Sequence, residues 1–352
     1  MKRISFSAKP KLALPNYIAI SLLLTLSLTG LAMPAAALDL QREDVKSFVD
    51  QMVNEHGLDR SYVSAVLKGS ETQQSILDAM SRPAERVKPW HEYRAIFLTQ
   101  KRIDAGVEFY GEHRERLELI EAETGVPPEM ILGIVGVESF FGRITGRHRV
   151  VDALATLGFD YPPRAKFFRS ELQQVFLLAR EEQLELESLV GSYAGAMGPP
   201  QFIPSSYRAY AVDGDGDGQR DLIGNWDDVL ASVGNYFAAH KWKAGEPVAA
   251  TATLSERAAE PSLQTQLKPD SSVDRLSEAG VLFATELDGD ATAGLWRLDG
   301  EDGDEYWVGF HNLYVITRYN RSVMYALAAW QLGNEIMQAA DQAANDVAEN
   351  AL

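Results

Sequence analysis

One carboxyl group stands alone in an apolar stretch. Glu138 is the only acidic residue between Glu129 and Asp152, and the run before it, Met130-Ile131-Leu132-Gly133-Ile134-Val135-Gly136-Val137, carries no charge. Taking water away from a carboxyl favours its neutral form. A carboxylic acid kept protonated near neutral pH suits the cleavage of a glycosidic bond, because the leaving oxygen must accept a proton. The competing reading is a half-exposed Glu at a helix end, paired with Arg143. A hydrolase would add a second carboxylate. Asp152 is the nearest in sequence, and its position before residues 153–157 points instead to a structural role in a turn.

A second set of carboxylates is spaced for a metal. Asp213-Gly214-Asp215-Gly216-Asp217-Gly218-Gln219 fits the start of an EF-hand loop, with acids at alternate positions, Gly at the sharp turn, and then a backbone carbonyl from Gln219. The usual closing position falls on Gly224, so Asp228 is the expected closing ligand. An all-oxygen set favours Ca²⁺ over softer metals. The alternative is a solvated acidic turn, but three Asp interleaved with Gly repel one another without a cation. The chain has no Cys, which excludes disulfides, Cys-ligated zinc and a lipid anchor on an N-terminal Cys. A bound cation would be a stabiliser that needs none of these.

These residues require elements to hold them. Pro128 fits the first turn of a helix that runs through Glu138 and stops near Gly142. Gly133 and Gly136 cost such a helix about 1 kcal/mol each, so their presence signals close approach by another backbone or by substrate. A second helix is expected over 166–190, with Phe167, Leu172, Val175, Phe176, Leu178 and Ala179 on its apolar face. A loop of small residues follows over 191–200, then the acidic loop at 213–228 and a helix over 229–241. Upstream, residues 39–125 read as helices interrupted by a proline-containing loop at 82–90, the last closing at Gly125. Over 246–310 short β-like runs appear at 248–254, 281–287, 295–298 and 306–310, separated by Asp, Gly and Pro turns. Helix returns over 321–345. The fold class is mainly α with a small β part (α+β).

The chain has 352 residues, 46% hydrophobic and 24% charged, enough for two or three domains with a sizeable core. Lys2, Arg3, Lys9 and Lys11, an apolar run over 17–33 and Ala35-Ala36-Ala37 read as a signal peptide over 1–37, cleaved before Leu38, which sends the mature protein to the periplasm. An uncleaved membrane anchor is the alternative. The formal charge of −17 becomes −21 without the four basic residues of this segment. Such a surface repels nucleic acid and anionic lipid.

Four motifs follow one another: Val137-Glu138-Ser139-Phe140-Phe141-Gly142-Arg143, Asp152-Ala153-Leu154-Ala155-Thr156-Leu157, Gly191-Ser192-Tyr193-Ala194-Gly195-Ala196-Met197-Gly198, and Gln201-Phe202-Ile203-Pro204-Ser205-Ser206-Tyr207. In order and spacing the chain resembles the family of lytic murein transglycosylase B over roughly residues 40–335. The resemblance implies a lysozyme-like core over 126–245, a helical domain over 38–125 joined by 321–345, a small antiparallel β domain over 246–310, and a return to the core over 311–320. It implies cleavage of the β-1,4 bond between N-acetylmuramic acid and N-acetylglucosamine in peptidoglycan, leaving a 1,6-anhydromuramoyl end. The family's acid/base falls on Glu138. Its substrate contacts fall on Ser192, Gln201, Tyr236, Tyr319, Asn320 and Tyr325, where hydroxyls and amides bond sugar groups and Tyr rings pack on sugar faces; each Tyr also reads as a core aromatic. A family pair of arginines becomes Pro163-Arg164, so Arg164 alone is left to meet the acidic stem peptide or lactyl group. The family also has a lengthened calcium loop like the one here. Two rivals stand beside this reading, a hydrolytic muramidase and a non-catalytic glycan- or calcium-binding protein.

Overall fold

A computed structural model describes residues 36–81, 88–256 and 262–350. The expected signal peptide, up to Ala35, and most of the loop at 82–90 lie outside the described residues. The N-terminal helices are α1 (Glu43–His56), α2 (Arg60–Lys68), α3 (Gln74–Met80), α4 (Trp90–Phe97) and α5 (Gln100–Thr124). Their ends follow local chemistry. The Asp59 side chain accepts from the Tyr62 amide and Thr99 from the Arg102 amide, while Gly57 and Gly125 close α1 and α5 in the left-handed region. Strand β1 (Ala36–Ala37) pairs with β2 (Glu71–Thr72), and the Leu38 amide donates to the Ser70 carbonyl. Cleavage before Leu38 would remove β1 and leave Leu38, which is buried.

The central helices are α6 (Pro128–Ser139), α7 (Val150–Asp160), α8 (Ala165–Glu182), α9 (Pro204–Tyr210) and α10 (Trp226–Ala239). Helix α8 ends earlier than the apolar pattern suggested, because Gln183 turns left-handed at φ 56°. Residues 153–157 lie inside α7 rather than after a turn, with Asp152 in its first turn. Short strands β3 (His148–Arg149) and β4 (Val190–Gly191) join the ends of this layer.

Five antiparallel strands form the β part: β5 (Ala249–Leu254), β6 (Ser271–Ser272), β7 (Val281–Leu282), β8 (Thr292–Asp299) and β9 (Asp304–Gly309), in the order β6-β8-β9-β5-β7. The run at 281–287 yields only two strand residues, since the chain turns where the Leu287 amide donates to Thr285 Oγ1. A helix that the pattern did not predict, α11 (Val273–Glu278), starts at Ser272, whose side chain accepts from the Arg275 amide. One sheet face has its own core with Leu295, Val308 and Phe310. The other turns Trp296 and Trp307 onto the helices, and Glu305 accepts from the indoles of Trp90 (2.9 Å) and Trp307 (3.2 Å).

The chain returns through α12 (His311–Ile316) to α13 (Val323–Asn350), which packs mainly on α6. Two glycines set that crossing. A Cβ on Gly133 would lie 2.1 Å from the Ala329 carbonyl oxygen, and one on Gly333 1.9 Å from that of Glu129. The close approach inferred from Gly133 is therefore a backbone, that of α13, while Gly136 meets the side chains of Leu332 and Phe141.

Candidate active site

Helix α6 carries Glu138 at its penultimate position, 2% exposed among apolar side chains. The chain then leaves abruptly. Phe140 and Phe141 adopt φ of 52° and 55°, a left-handed conformation that costs non-glycine residues about 1 kcal/mol or more each. The turn is held by the Gly142 amide on Ser139 Oγ (3.0 Å) and the Ile144 amide on the Ser139 carbonyl (2.8 Å). Arg143, the alternative partner read from the sequence, turns to Glu108 at 3.7 Å and over the Phe140 ring at 5.0 Å.

The carboxyl receives a hydrogen bond from the other end of the chain. Tyr325, fully buried in the first turn of α13, donates its hydroxyl to Glu138 Oε1 at 2.5 Å. Burial, and after it the Glu138 charge, hold the Tyr325 and Tyr319 hydroxyls well above the usual phenol pKa, so both remain donors. Tyr325 meets the carboxyl by its polar tip. Tyr319 donates to the Pro200 carbonyl (2.5 Å) and Tyr236 to the Arg318 carbonyl (2.6 Å). These two rings pack 4.8 Å apart, and Tyr236 stacks on His240 at 4.2 Å. Both are largely buried in this aromatic group.

The small-residue loop forms the next wall. Ser192 is buried and its Oγ accepts from the Ala196 amide (3.0 Å), closing the loop on itself. Gln201, at φ 50°, donates through Nε2 to the carbonyls of Thr145 (3.0 Å) and Gly198 (2.8 Å). Its Oε1 is buried and, among the described residues, accepts no hydrogen bond. A buried acceptor left open carries a cost of about 1–3 kcal/mol unless a ligand N–H meets it. Asn320 is buried beside Tyr319 in the sequence. Arg164 lies at the start of α8 with its guanidinium 4.1 Å from the Phe167 ring centre and 5.2 Å from that of Phe168. Asp152 accepts from the Glu71 amide (3.2 Å) and pairs with Arg149 (3.4 Å), so it anchors β2.

In the acidic loop Asp213, Asp215 and Asp228 bring carboxylate oxygens within 4.8 Å of one another, a set that fits a hard cation. Asp228 is fully buried and accepts from the amides of Gly214 and Asp221, both at 2.6 Å. Asp217 and Gln219 lie outside that group of three; Asp217 Oδ1 accepts from the Gln219 amide instead (2.8 Å). Trp226, two residues before Asp228, packs on Phe109 (4.6 Å), and Phe109 on Phe141 (5.2 Å), which links this loop to the turn after Glu138.

This arrangement has known counterparts. Residues 40–334 match the family described as the transglycosylase SLT domain. Membrane-bound lytic murein transglycosylase B of Escherichia coli (strain K12) is 42% identical over 83% of this chain and 82% of its own. The catenated lytic transglycosylase SltB1 from Pseudomonas aeruginosa superposes with a TM-score of 0.81 at 50% identity, covering 85% of this chain and 98% of that one. The Escherichia coli lytic transglycosylase Slt35 in complex with calcium gives 0.79 at 40% identity, covering 87% and 96%. The chain belongs to the transglycosylase SLT family. The resemblance read from the four motifs is thus established, as is the mainly helical fold with a small antiparallel sheet.

Two features of this transglycosylase escaped the sequence reading. Glu171 of α8 is 3% exposed, and burial lifts its carboxyl to about 7 although it accepts from the Ser205 amide at 2.9 Å. Charged residues interrupt the sequence around it, so nothing signalled its burial. Tyr93 of α4 is fully buried and an electrostatic neighbour of Tyr325. In sequence it is indistinguishable from any core aromatic.

Proposed function

We propose that Glu138 performs both proton transfers of a lytic transglycosylase reaction on the β-1,4 bond between N-acetylmuramic acid and N-acetylglucosamine. That the chain is a lytic transglycosylase acting on peptidoglycan follows from its family and its relatives; the residue roles are our reading. The observation that carries it is the buried Tyr325–Glu138 hydrogen bond. The Glu138 carboxyl, whose Oε1 accepts from the tyrosine hydroxyl, holds the proton given to the glycosidic oxygen. As that bond breaks, C1 of the muramic sugar becomes oxocarbenium-like. The Tyr325 hydroxyl then stabilises the carboxylate left behind. Glu138 takes the proton of the sugar's C6 hydroxyl as its oxygen bonds to C1 and closes the anhydro ring. Tethering gives that attack a large proximity advantage over free water.

No second acid lies in the Glu138 motif, and Asp152 is engaged at β2. We therefore assign the support of C1 to the substrate's 2-acetamido group. The open Oε1 of Gln201 suits its N–H, and Ser192, Asn320, Tyr236 and Tyr319 shape the wall around it. For the metal we propose Ca²⁺ held by Asp213, Asp215 and Asp228, with Asp217 and the Gln219 carbonyl completing the set; its role is to brace the loop. We propose a division into a helical part (38–125 with 321–345), a lysozyme-like core (126–245 with 311–320) and a β domain (246–310); the separate apolar core of the sheet supports the β domain, while the other two parts share one core. A periplasmic location fits the N-terminal segment and the substrate. Among the described residues no helix is long and apolar enough to cross a membrane.

The test is mass spectrometry of purified sacculi after digestion. Anhydromuramoyl ends are expected. Ordinary reducing ends would point to hydrolysis, and the absence of products to a binding protein.

A further inference from the structure

The turn after Glu138 runs into a loop whose outer face is basic, in a chain of net charge −17. Phe140, two residues beyond the carboxyl, is flanked by three cations. Arg102 lies 4.8 Å from its ring centre, Arg143 5.0 Å and Lys101 5.9 Å. Arg102 is anchored, donating to the carbonyls of Ile96 (2.6 Å) and Phe97 (3.2 Å). Lys101 and Arg147 are exposed, and the Arg143 side chain is 49% exposed. Among the described residues the acid paired with this group is Glu108, at 3.7 Å and itself 69% exposed, which is too loose to neutralise it. Ile144, 47% exposed, adds an apolar surface between Arg143 and Arg147.

The inner side of the same loop is fixed to the site. The Thr145 carbonyl accepts from Gln201 Nε2 (3.0 Å). Gly146 sits at φ 109° so close to the neighbouring loop that a Cβ would fall 2.0 Å from the Gly191 carbonyl. Residues 140–147 therefore form one rigid rim, with Glu138 at one end, Ser192 and Gln201 behind it, and cations in front.

We propose that this rim, Lys101, Arg143 and Arg147 around Phe140 and Ile144, binds the carboxylates of the peptides carried on the glycan strand. The proposal rests on the substrate reading given above. A muramic sugar seated with C1 at Glu138 carries its peptide on the adjoining lactyl group, and the rim is fixed to Gln201 and Gly191 of the same site. Free carboxylates are repelled by a chain of this net charge and are drawn to a basic edge beside the site. Guanidinium groups take carboxylates in a bidentate fork, and Phe140 holds that of Arg143 in place from beneath. The rim thus makes the enzyme prefer strands that still bear peptides over bare glycan.

The test uses soluble peptide-bearing glycan strands and the same strands after an amidase has removed the peptides. It compares the full chain with a charge-removing variant (Lys101→Gln, Arg143→Gln, Arg147→Gln) and a charge-keeping one (Lys101→Arg, Arg143→Lys, Arg147→Lys). For the wild type, kcat/KM should be higher on peptide-bearing strands, and added salt should erode that advantage. Charge removal should lower the ratio between the two strands roughly tenfold, mainly through KM, and the charge-keeping variant should retain most of it. Equal losses on both strands, or an unchanged ratio, would overturn the rim. A variant that fails to fold shows in its melting curve, and the charge-keeping variant then decides by its ratio against the wild type. If the wild type releases anhydro ends from neither strand, the substrate reading falls and the rim with it.

Discussion

Replacing Tyr325 by Phe removes one oxygen and keeps the ring. The hydroxyl sits 2.5 Å from Glu138 Oε1, and both residues are almost wholly buried, so no water stands ready to replace it. A hydrogen bond to a charged group contributes about 1.5–3 kcal/mol. It acts chiefly after the proton has left Glu138, when the carboxylate must be held in an apolar pocket, so its loss raises the barrier more than it weakens ground-state binding. That converts to roughly 10–100-fold in kcat. KM should change little, because the hydroxyl faces the carboxyl. Initial rates of anhydromuropeptide release, with melting curves on the same samples, test this. A Tyr325→Phe enzyme within twofold of wild-type kcat would refute the assignment, as would a loss confined to KM.

The remaining predictions concern the scaffold. Calcium at about 100 times its dissociation constant should stabilise the native state by about 2.7 kcal/mol, a rise of about 5 °C in Tm for a chain this long; identical melting curves in excess chelator and in millimolar calcium would contradict the site. Glu171 has a folded-state pKa of about 7, above its ordinary value of 4.5, so its stabilising contribution is full below pH 4.5 and is lost as pH rises through 7. Glu171→Gln should therefore gain stability relative to wild type between pH 5 and 8, by about 1–3 kcal/mol in urea titrations; a pH-independent difference would count against it. Gly133→Ala drives a methyl group into the α13 backbone, 2.1 Å from the Ala329 carbonyl oxygen, and should cost about 3 kcal/mol or more, whereas an Ala at exposed Gly111, which meets nothing within 4 Å, should be neutral or better.

The chemistry was more legible than the architecture around it. A Glu at the end of an otherwise apolar run, and Asp alternating with Gly, are local sequence patterns that can be read without knowing distant contacts. Gly133 signalled a close approach but not its partner, because α13 lies some 190 residues further on. The same distance hid the role of Tyr325. Its type suggested a sugar platform, and only the α6–α13 crossing turns its hydroxyl onto Glu138. Element ends were missed where single residues decided them. Gln183 and Phe140 take left-handed conformations that their side chains do not advertise. Helix α11 hid within a β-rich stretch because six residues are too few to display a period. Glu171 was overlooked for the opposite reason from Glu138: its neighbours in sequence are polar, and its burial comes from α9.

The central claim is that one carboxyl carries both proton transfers. Glu138→Gln keeps the shape of the side chain and can still accept from Tyr325, but it has no proton to give and no basic oxygen. Its rate of release of anhydromuropeptides from purified sacculi, measured beside that of Asp152→Asn, is the most direct test. Glu138→Gln should fold and bind glycan as wild type does and lose roughly 10²-fold or more in rate, with every residual product an anhydro end, while Asp152→Asn loses far less. Retained activity in Glu138→Gln together with an inactive, folded Asp152→Asn would contradict the account.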